Sequence, residues 1–267
     1  MLRSISAKII EHIYHYIFKV RALNFYDQLR LMTTLLNFVK HLGRRGDRLG
    51  FYIPGENVLL IKTWDSYLCF IRPKSSDFSY VNLLGERYQL INWFLLNIKG
   101  GIIIDVGANV GGYTIRACKK ARLVIAIEPL PHVFKLLEYN VRLNCDRENV
   151  ILINKAISNT KGFVWLKVPR VSNYYDDSRA SIFRHGDLVY RIKSDTLDNI
   201  IASLNIEGAE GIAFKGMERT LEITKKLIIE IQPANRWLIV ELQRRGFKLV
   251  DKKGMNYFFH KRDWQIK

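Results

Sequence analysis

The chain has 267 residues, 48% of them hydrophobic, with 42 Lys and Arg against 25 Asp and Glu, a formal net charge of +17. That apolar content excludes a globally disordered chain, and the length suits one large domain, or one domain with an extension. The positive surplus fits an anionic partner (nucleic acid, an acidic membrane surface, an acidic or phosphorylated substrate) and equally a Lys/Arg-rich proteome, since the basic residues form no single tract.

Residues 1–43 read as helical, ending at Gly43 before the basic turn "RRGDR". Ile5, Ile9, Ile13 and Ile17 recur at helical spacing, so the first stretch is amphipathic. Lys8, Glu11, His12, His15, Lys19 and Arg21 interrupt it, which breaks the apolar region of a signal peptide. No stretch reaches the ~18 apolar residues of a membrane span. Residues 1–48 are therefore expected as an amphipathic helical extension with nine Lys/Arg against three acids. Such a helix packs on its own domain or makes peripheral contact with an anionic membrane.

Residues 49–98 read as a small β/α segment: short strands at "FYIP", "NVLLIKTW" and "YLCFIRP", then a helix after the serines of "SSDFSYVNLLGERYQLINWFLL". From residue 99 strands and helices alternate. "IIIDV", "LVIAIEP", "NVILINKAIS", "GFVWLKV" and "LIIEIQP" read as strands, "GGYTIRACKKA", "PHVFKLLEYNVRLN" and "ANRWLIVELQRRG" as helices, and "FKLVDKK" with "NYFFHKR" as a closing antiparallel hairpin. Strand–helix alternation predicts a doubly wound parallel sheet. Cys69, Cys118 and Cys145 form no CxxC pair and are odd in number, so neither a disulfide framework nor a structural zinc site is expected. Each reads as a small buried apolar residue in a reducing, cytoplasmic protein.

The chemistry centres on "IIIDVGANVGGYTI", residues 102–115. A strand ending in a glycine turn at the crevice of a doubly wound sheet lets backbone approach a ligand and offers it helix N-terminal amides. The spacing, with Asp105, Gly107, Gly111 and Gly112, is not the dinucleotide fingerprint. A carboxylate two places before the first glycine repels a pyrophosphate and attracts a cation. S-adenosylmethionine carries an ammonium and a sulfonium and no phosphate. Glu128 ends the next strand, 23 residues after Asp105, where a carboxylate can accept both hydroxyls of an adenosine ribose.

Together with "IAIEPLPHVFKLLEYNVRLN", "NVILINKAISN", "SDTLDNI", "RPKSSDF" at 72–78 and "IEGAE" at 206–210, this stretch resembles the FkbM-type family of S-adenosylmethionine-dependent methyltransferases from about residue 72 to 233. The resemblance implies the class I methyltransferase fold, Rossmann-like, with seven strands and the last antiparallel. It also implies methylation of hydroxyl oxygens, often on sugars or polyketides. On that basis Asp105, Gly107, Asn109 and Gly111 line the methionine part of the cofactor, Glu128 holds the ribose, and Ala156 lies near the adenine.

The family's K-x-D-x-E-G-A-E segment is altered: Ser203 stands where lysine belongs and Asn205 where the acid belongs, and the interval after Leu197-Asp198 is short by about one strand of ~5–6 residues. Either "SLNIEGAE" is a degenerate fourth strand or that strand is missing. Proton removal from an alcohol needs a base within hydrogen-bond reach, which Asn205 cannot be. Glu207 and Glu210 remain as catalytic candidates, Glu207 at the methyl end or else as a helix N-terminal carboxylate. His185 in a polar loop and His132 at a helix start read as solvent-facing. Trp165 and Tyr174-Tyr175 are available to stack on a sugar or base, or simply to pack. Three functions follow: an O-methyltransferase acting on a glycan or other small metabolite; an RNA methyltransferase, suggested by the charge; and a degenerate relative that binds a ligand or partner without catalysis. The sequence contains neither an Asn/Asp-Pro-Pro-aromatic motif nor a catalytic cysteine motif, which argues against nucleic acid as acceptor.

Overall fold

A computed structural model describes residues 19–40, 53–82, 91–92, 95, 100–171, 174–181, 185–204, 217–231 and 233–261. The chain divides into two compact units, one of residues 1–89, 99–156 and 163–193, the other of 90–98, 157–162 and 194–267.

The first unit begins with β1 (Arg21–Ala22), α1 (Phe25–Lys40), β2 (Leu59–Lys62) and β3 (Leu68–Ile71). β1, β2 and β3 form an antiparallel sheet. Alternation sets its inner face: Leu59, Ile61, Cys69 and Ile71 are fully buried. The continuous helix expected over 1–43 is corrected here, because Arg21 and Ala22 pair with Lys62 and Ile61. α1 starts only after Asn24, whose side chain accepts from the Asp27 amide (2.8 Å) and donates to the Asp27 carboxylate (2.7 Å), a reciprocal cap. Residues 1–18, which carry the expected amphipathic helix, lie outside the described residues. Among the described residues no helix is long and apolar enough to cross a membrane.

After α2 (Asp77–Val81) come β4 (Ile102–Val106), α3 (Thr114–Ala117), β5 (Leu123–Ile127), α4 (Pro131–Asn144) and β6 (Val150–Ile153). β4, β5 and β6 are parallel and in register, with β5 central. Near-continuous apolar runs suit strands covered on both faces, and Val124 to Ile127 are all at most 1% exposed. Pro131 opens α4, where its missing N–H is harmless, and Val133, Leu136, Leu137 and Val141 form the buried stripe. α3 is one turn, shorter than the helix expected over 111–121, because backbone bonds from Lys120 and Ala121 to Ala117 turn the chain towards β5.

β7 (Ala156–Ile157), β8 (Gly162–Val168), β9 (Arg170–Val171), β10 (Tyr174–Tyr175) and β11 (Leu188–Asp195) follow. β11 neighbours β8 and was not expected, although Leu188, Tyr190 and Ile192 carry its period-two apolar signal.

The second unit contains α5 (Leu197–Ser203), α6 (Glu218–Ile223), β12 (Lys226–Glu230), α7 (Trp237–Arg244), β13 (Phe247–Lys253) and β14 (Asn256–Lys261). β14 lies between β12 and β13, antiparallel to both. Its core gathers Leu221, Ile231, Leu242, Phe247, Tyr257 and Phe259.

The architecture is thus mixed α/β. The expected single doubly wound sheet is replaced, among the described residues, by one parallel sheet, β4-β5-β6, and several short sheets that include antiparallel ladders. The fourth-strand stretch at 205–216, with Glu207 and Glu210, lies outside the described residues.

The cysteine expectation is corrected as well. Cys118 and Cys145 form a disulfide across a sequence separation of 27, with Cα atoms 5.9 Å apart. The two cysteines cap the C-terminal ends of α3 and α4, which the intervening β5 brings together. Cys69 is the buried small residue expected, and burial pushes its thiol up to about 12.

Candidate cofactor site

β4 ends at Val106, and the chain then makes a turn whose Gly107, Asn109 and Gly111 have φ of 78°, 51° and 93°. Such left-handed backbone favours glycine and tolerates asparagine. The amides of Gly107 and Ala108 both donate to the Ile127 carbonyl at the end of β5 (2.9 and 3.0 Å). A Cβ on Gly107 would meet nothing within 4 Å, so this part of the turn faces open space. At Gly111 a Cβ would lie 2.8 Å from Leu137 Cδ1, so only glycine lets α4 approach this closely.

Two carboxylates hold the turn. Glu128 Oε2 accepts from the Asn109 amide (2.9 Å), and Oε1 accepts from the Leu130 amide (2.9 Å). Asp105 Oδ2 accepts from Thr114 Oγ1 (2.6 Å). The two acids therefore brace one loop, Glu128 near its start and Asp105 at its end. Glu128 is 5% exposed. Burial pushes its carboxyl up to about 7; the bonds from Leu130 and Asn109 oppose that shift, nearby Asp177 adds to it, and Arg72 opposes it. Asp105 keeps some solvent access, yet its buried surroundings raise its carboxyl above the ordinary range against the pull of Thr114.

Polar side chains from outside the turn fix this arrangement. Buried Arg116 pairs with both oxygens of Asp65 (2.7 Å each) and donates to the carbonyls of Gly112 (2.6 Å) and Val81 (2.9 Å). Asn140 of α4 accepts from the Phe70 amide (2.6 Å) and donates to the Phe70 carbonyl (3.1 Å) and the Val110 carbonyl (2.8 Å). Asn144 exchanges the same pair of bonds with Leu68 (3.0 and 2.6 Å). The two amides act as a surrogate strand along the edge of β3 and tie it to the glycine turn. Asn154 donates to the carbonyls of Glu128 and Pro129 (2.8 and 3.0 Å), which steadies the backbone that carries Glu128.

Arg72 and Asp77 of "RPKSSDF" form a bidentate pair (2.8 and 2.7 Å), and Arg72 also binds Asp177, whose carboxylate accepts as well from His132 Nε2 at 3.0 Å. Burial works against the charge on Asp177, but His132 and Arg72 outweigh it and hold the carboxyl below its usual range.

Of the residues assigned from sequence, Asp105, Gly107, Asn109, Gly111 and Glu128 converge on this turn. Ala156 is buried within the core of the first unit. Glu207 and Glu210 lie outside the described residues. His185 is exposed. His132 is exposed, as expected, and pairs with Asp177. Asn140, Asn144 and Asn154 were not foreseen, since a lone asparagine carries no pattern; the "RPKSSDF" motif contains both Arg72 and Asp77 but gave no sign that they pair.

The residue set fits S-adenosylmethionine. The turn faces open space at Gly107, a half-buried acid lies beneath it, and each Glu128 oxygen has used one lone pair on a backbone amide and retains another.

The sequence matches the methyltransferase FkbM domain over residues 105–249. It is 29% identical over 143 residues to the tRNA (guanine(37)-N(1))-methyltransferase Trm5b of Methanocaldococcus jannaschii, a match covering 52% of this chain and 41% of that protein. The match thus takes in less than half of that relative. Solved structures with some likeness include Methanocaldococcus jannaschii Trm5 in complex with adenosine (15% identity, TM-score 0.40, 79% of this chain and 59% of that one). Another is M. jannaschii TYW2 in complex with AdoMet (15% identity, TM-score 0.38, 77% of this chain and 84% of that one).

Proposed function

We propose that this chain, which belongs to the methyltransferase FkbM domain family, is a methyltransferase that uses S-adenosyl-L-methionine and whose acceptor is a hydroxyl oxygen of a glycan or another small metabolite. The observation that carries the site assignment is Glu128, a buried carboxylate fixed by the amides of Asn109 and Leu130. When bound, the cofactor supplies an electrophilic methyl on a sulfonium.

The chain's own residues then have distinct tasks. Glu128 accepts from the ribose hydroxyls through its remaining lone pairs. Asp105 offers negative charge to the cationic methionine end. Gly107, Asn109 and Gly111 let the backbone approach closely, and the buried braces at Arg116 and Asn140 keep the turn from moving. Methyl transfer is an in-line displacement, so alignment and exclusion of water supply much of the acceleration. Glu207 and Glu210 are the candidates for taking the acceptor proton, on the strength of the "IEGAE" motif.

RNA is a second reading of the acceptor, favoured by the net charge of +17 and by the tRNA-modifying relative. The experiment is transfer of tritiated methyl into separated glycan, metabolite and RNA fractions, run beside calorimetric titration with S-adenosylhomocysteine. Label in the glycan or metabolite fraction supports the first reading and label in RNA the second. Binding with no label anywhere defeats both acceptor assignments.

A further inference from the structure

The outer face of the β8–β11 pair is built unlike a solvated strand surface. Along both strands alternate residues point inward, Leu166, Val168 and Ile192 among them, and join the core of the first unit. The outward positions are Phe163, Trp165 and Lys167 on β8 and Val189, Arg191 and Lys193 on β11. Phe163 is 53% exposed and Trp165 59%. The Arg191 guanidinium lies over the Phe163 ring, 3.9 Å from its centroid, which aligns a cation and a flat π surface across the two strands. Among the exposed outward positions, 163 and 165 on β8 and 189, 191 and 193 on β11, none carries an acid; Asp195, in the same phase at the end of β11, is buried.

From this face we infer a docking platform for single-stranded RNA. The inference rests on the RNA reading of the acceptor. Aromatic faces stack on bases of any sequence, and interleaved cations follow the phosphates; sequence-tolerant single-strand binders combine these two elements. A second copy of this chain is a poor occupant, since face-to-face docking would set Lys167, Arg191 and Lys193 against their own counterparts. An acidic polysaccharide would also use the cations and could stack its rings on Trp165, so it is the competing occupant that the test separates from RNA.

The test is fluorescence anisotropy of the full chain with labelled oligouridylate of about 20 nucleotides, longer than the ~4–16-nucleotide footprint of a stacking groove. Heparin serves as the competing acidic polysaccharide, and light scattering reports the oligomeric state. The expected result is saturable binding that weakens on the order of 10-fold in Trp165→Ala. In Arg191→Ala the slope of log K against log salt should fall by about one phosphate contact. Because both side chains are exposed, thermal melting should stay at the parent value. Three results overturn the inference: absence of oligonucleotide binding, equal binding in Trp165→Ala with heparin preferred, or a dimer that Trp165→Ala dissociates. RNA binding without methyl incorporation into RNA would leave the platform standing and remove the RNA acceptor, so the two failures are distinguishable.

Discussion

Gly111→Ala tests how the glycine turn is held against α4. Two effects act together. At φ of 93° a side chain suffers left-handed strain, costing about 1–2 kcal/mol. The new Cβ also falls 2.8 Å from Leu137 Cδ1, roughly 0.7 Å inside good contact, against a side chain that is fully buried. Overpacking of this kind adds about 1–3 kcal/mol, so the total should be about 2–5 kcal/mol, read from urea denaturation. Leu137→Ala alone should cost about 2–5 kcal/mol through its cavity. In that background the overlap is gone, and Gly111→Ala should cost only the backbone strain, about 1–2 kcal/mol. Gly107→Ala is the control: its Cβ enters open space, so stability should fall by strain alone, about 1–2 kcal/mol, while S-adenosylhomocysteine binding weakens on the order of 10-fold. An equal cost for Gly111→Ala with and without Leu137 would refute the packing argument.

Three further outcomes are expected. Glu128 keeps its proton to about 7 in the native state against an ordinary 4.5. Native stability should therefore fall by about 3 kcal/mol as pH rises from about 4.5 to 7 and be flat above that, an effect absent in Glu128→Gln. S-adenosylhomocysteine affinity should run the other way, dropping up to tenfold per unit below about pH 7, because the ionised carboxylate accepts the ribose hydroxyls. Reduction of the Cys118–Cys145 disulfide, with its separation of 27 residues, should cost about 3–4 kcal/mol in urea denaturation; alkylation of the unfolded, unreduced chain should mark Cys69 alone. Asn140→Ala, which removes three bonds to Phe70 and Val110, should cost about 2–4 kcal/mol and raise amide exchange in β3.

Local pattern was enough for much of the site. Runs such as "IIIDV" and "LVIAI" can be little else than buried parallel strands, and a carboxylate at each end of that pair follows from position alone. Glycine spacing gave the turn, since left-handed backbone is a single-residue property. The bridging polar groups were illegible for the converse reason. An asparagine in an amphipathic helix has the same local signature whether it faces water or, like Asn140, completes a strand edge 70 residues away in sequence. Arg72 and Asp177 are 105 residues apart and meet only in the folded chain.

The sequence by itself determined the parallel strands β4, β5 and β6, the helix α4, where the glycine turn lies and which two acids flank it, because those depend on periodicity and on the chemistry of single residues. Only the tertiary structure decided that Cys118 reaches Cys145, that Glu128 is buried and so holds its proton to about 7 against the pull of the Asn109 and Leu130 amides, and that Phe163, Trp165 and Arg191 share an open face. Each of these depends on distances between residues far apart along the chain, and those distances are fixed by packing.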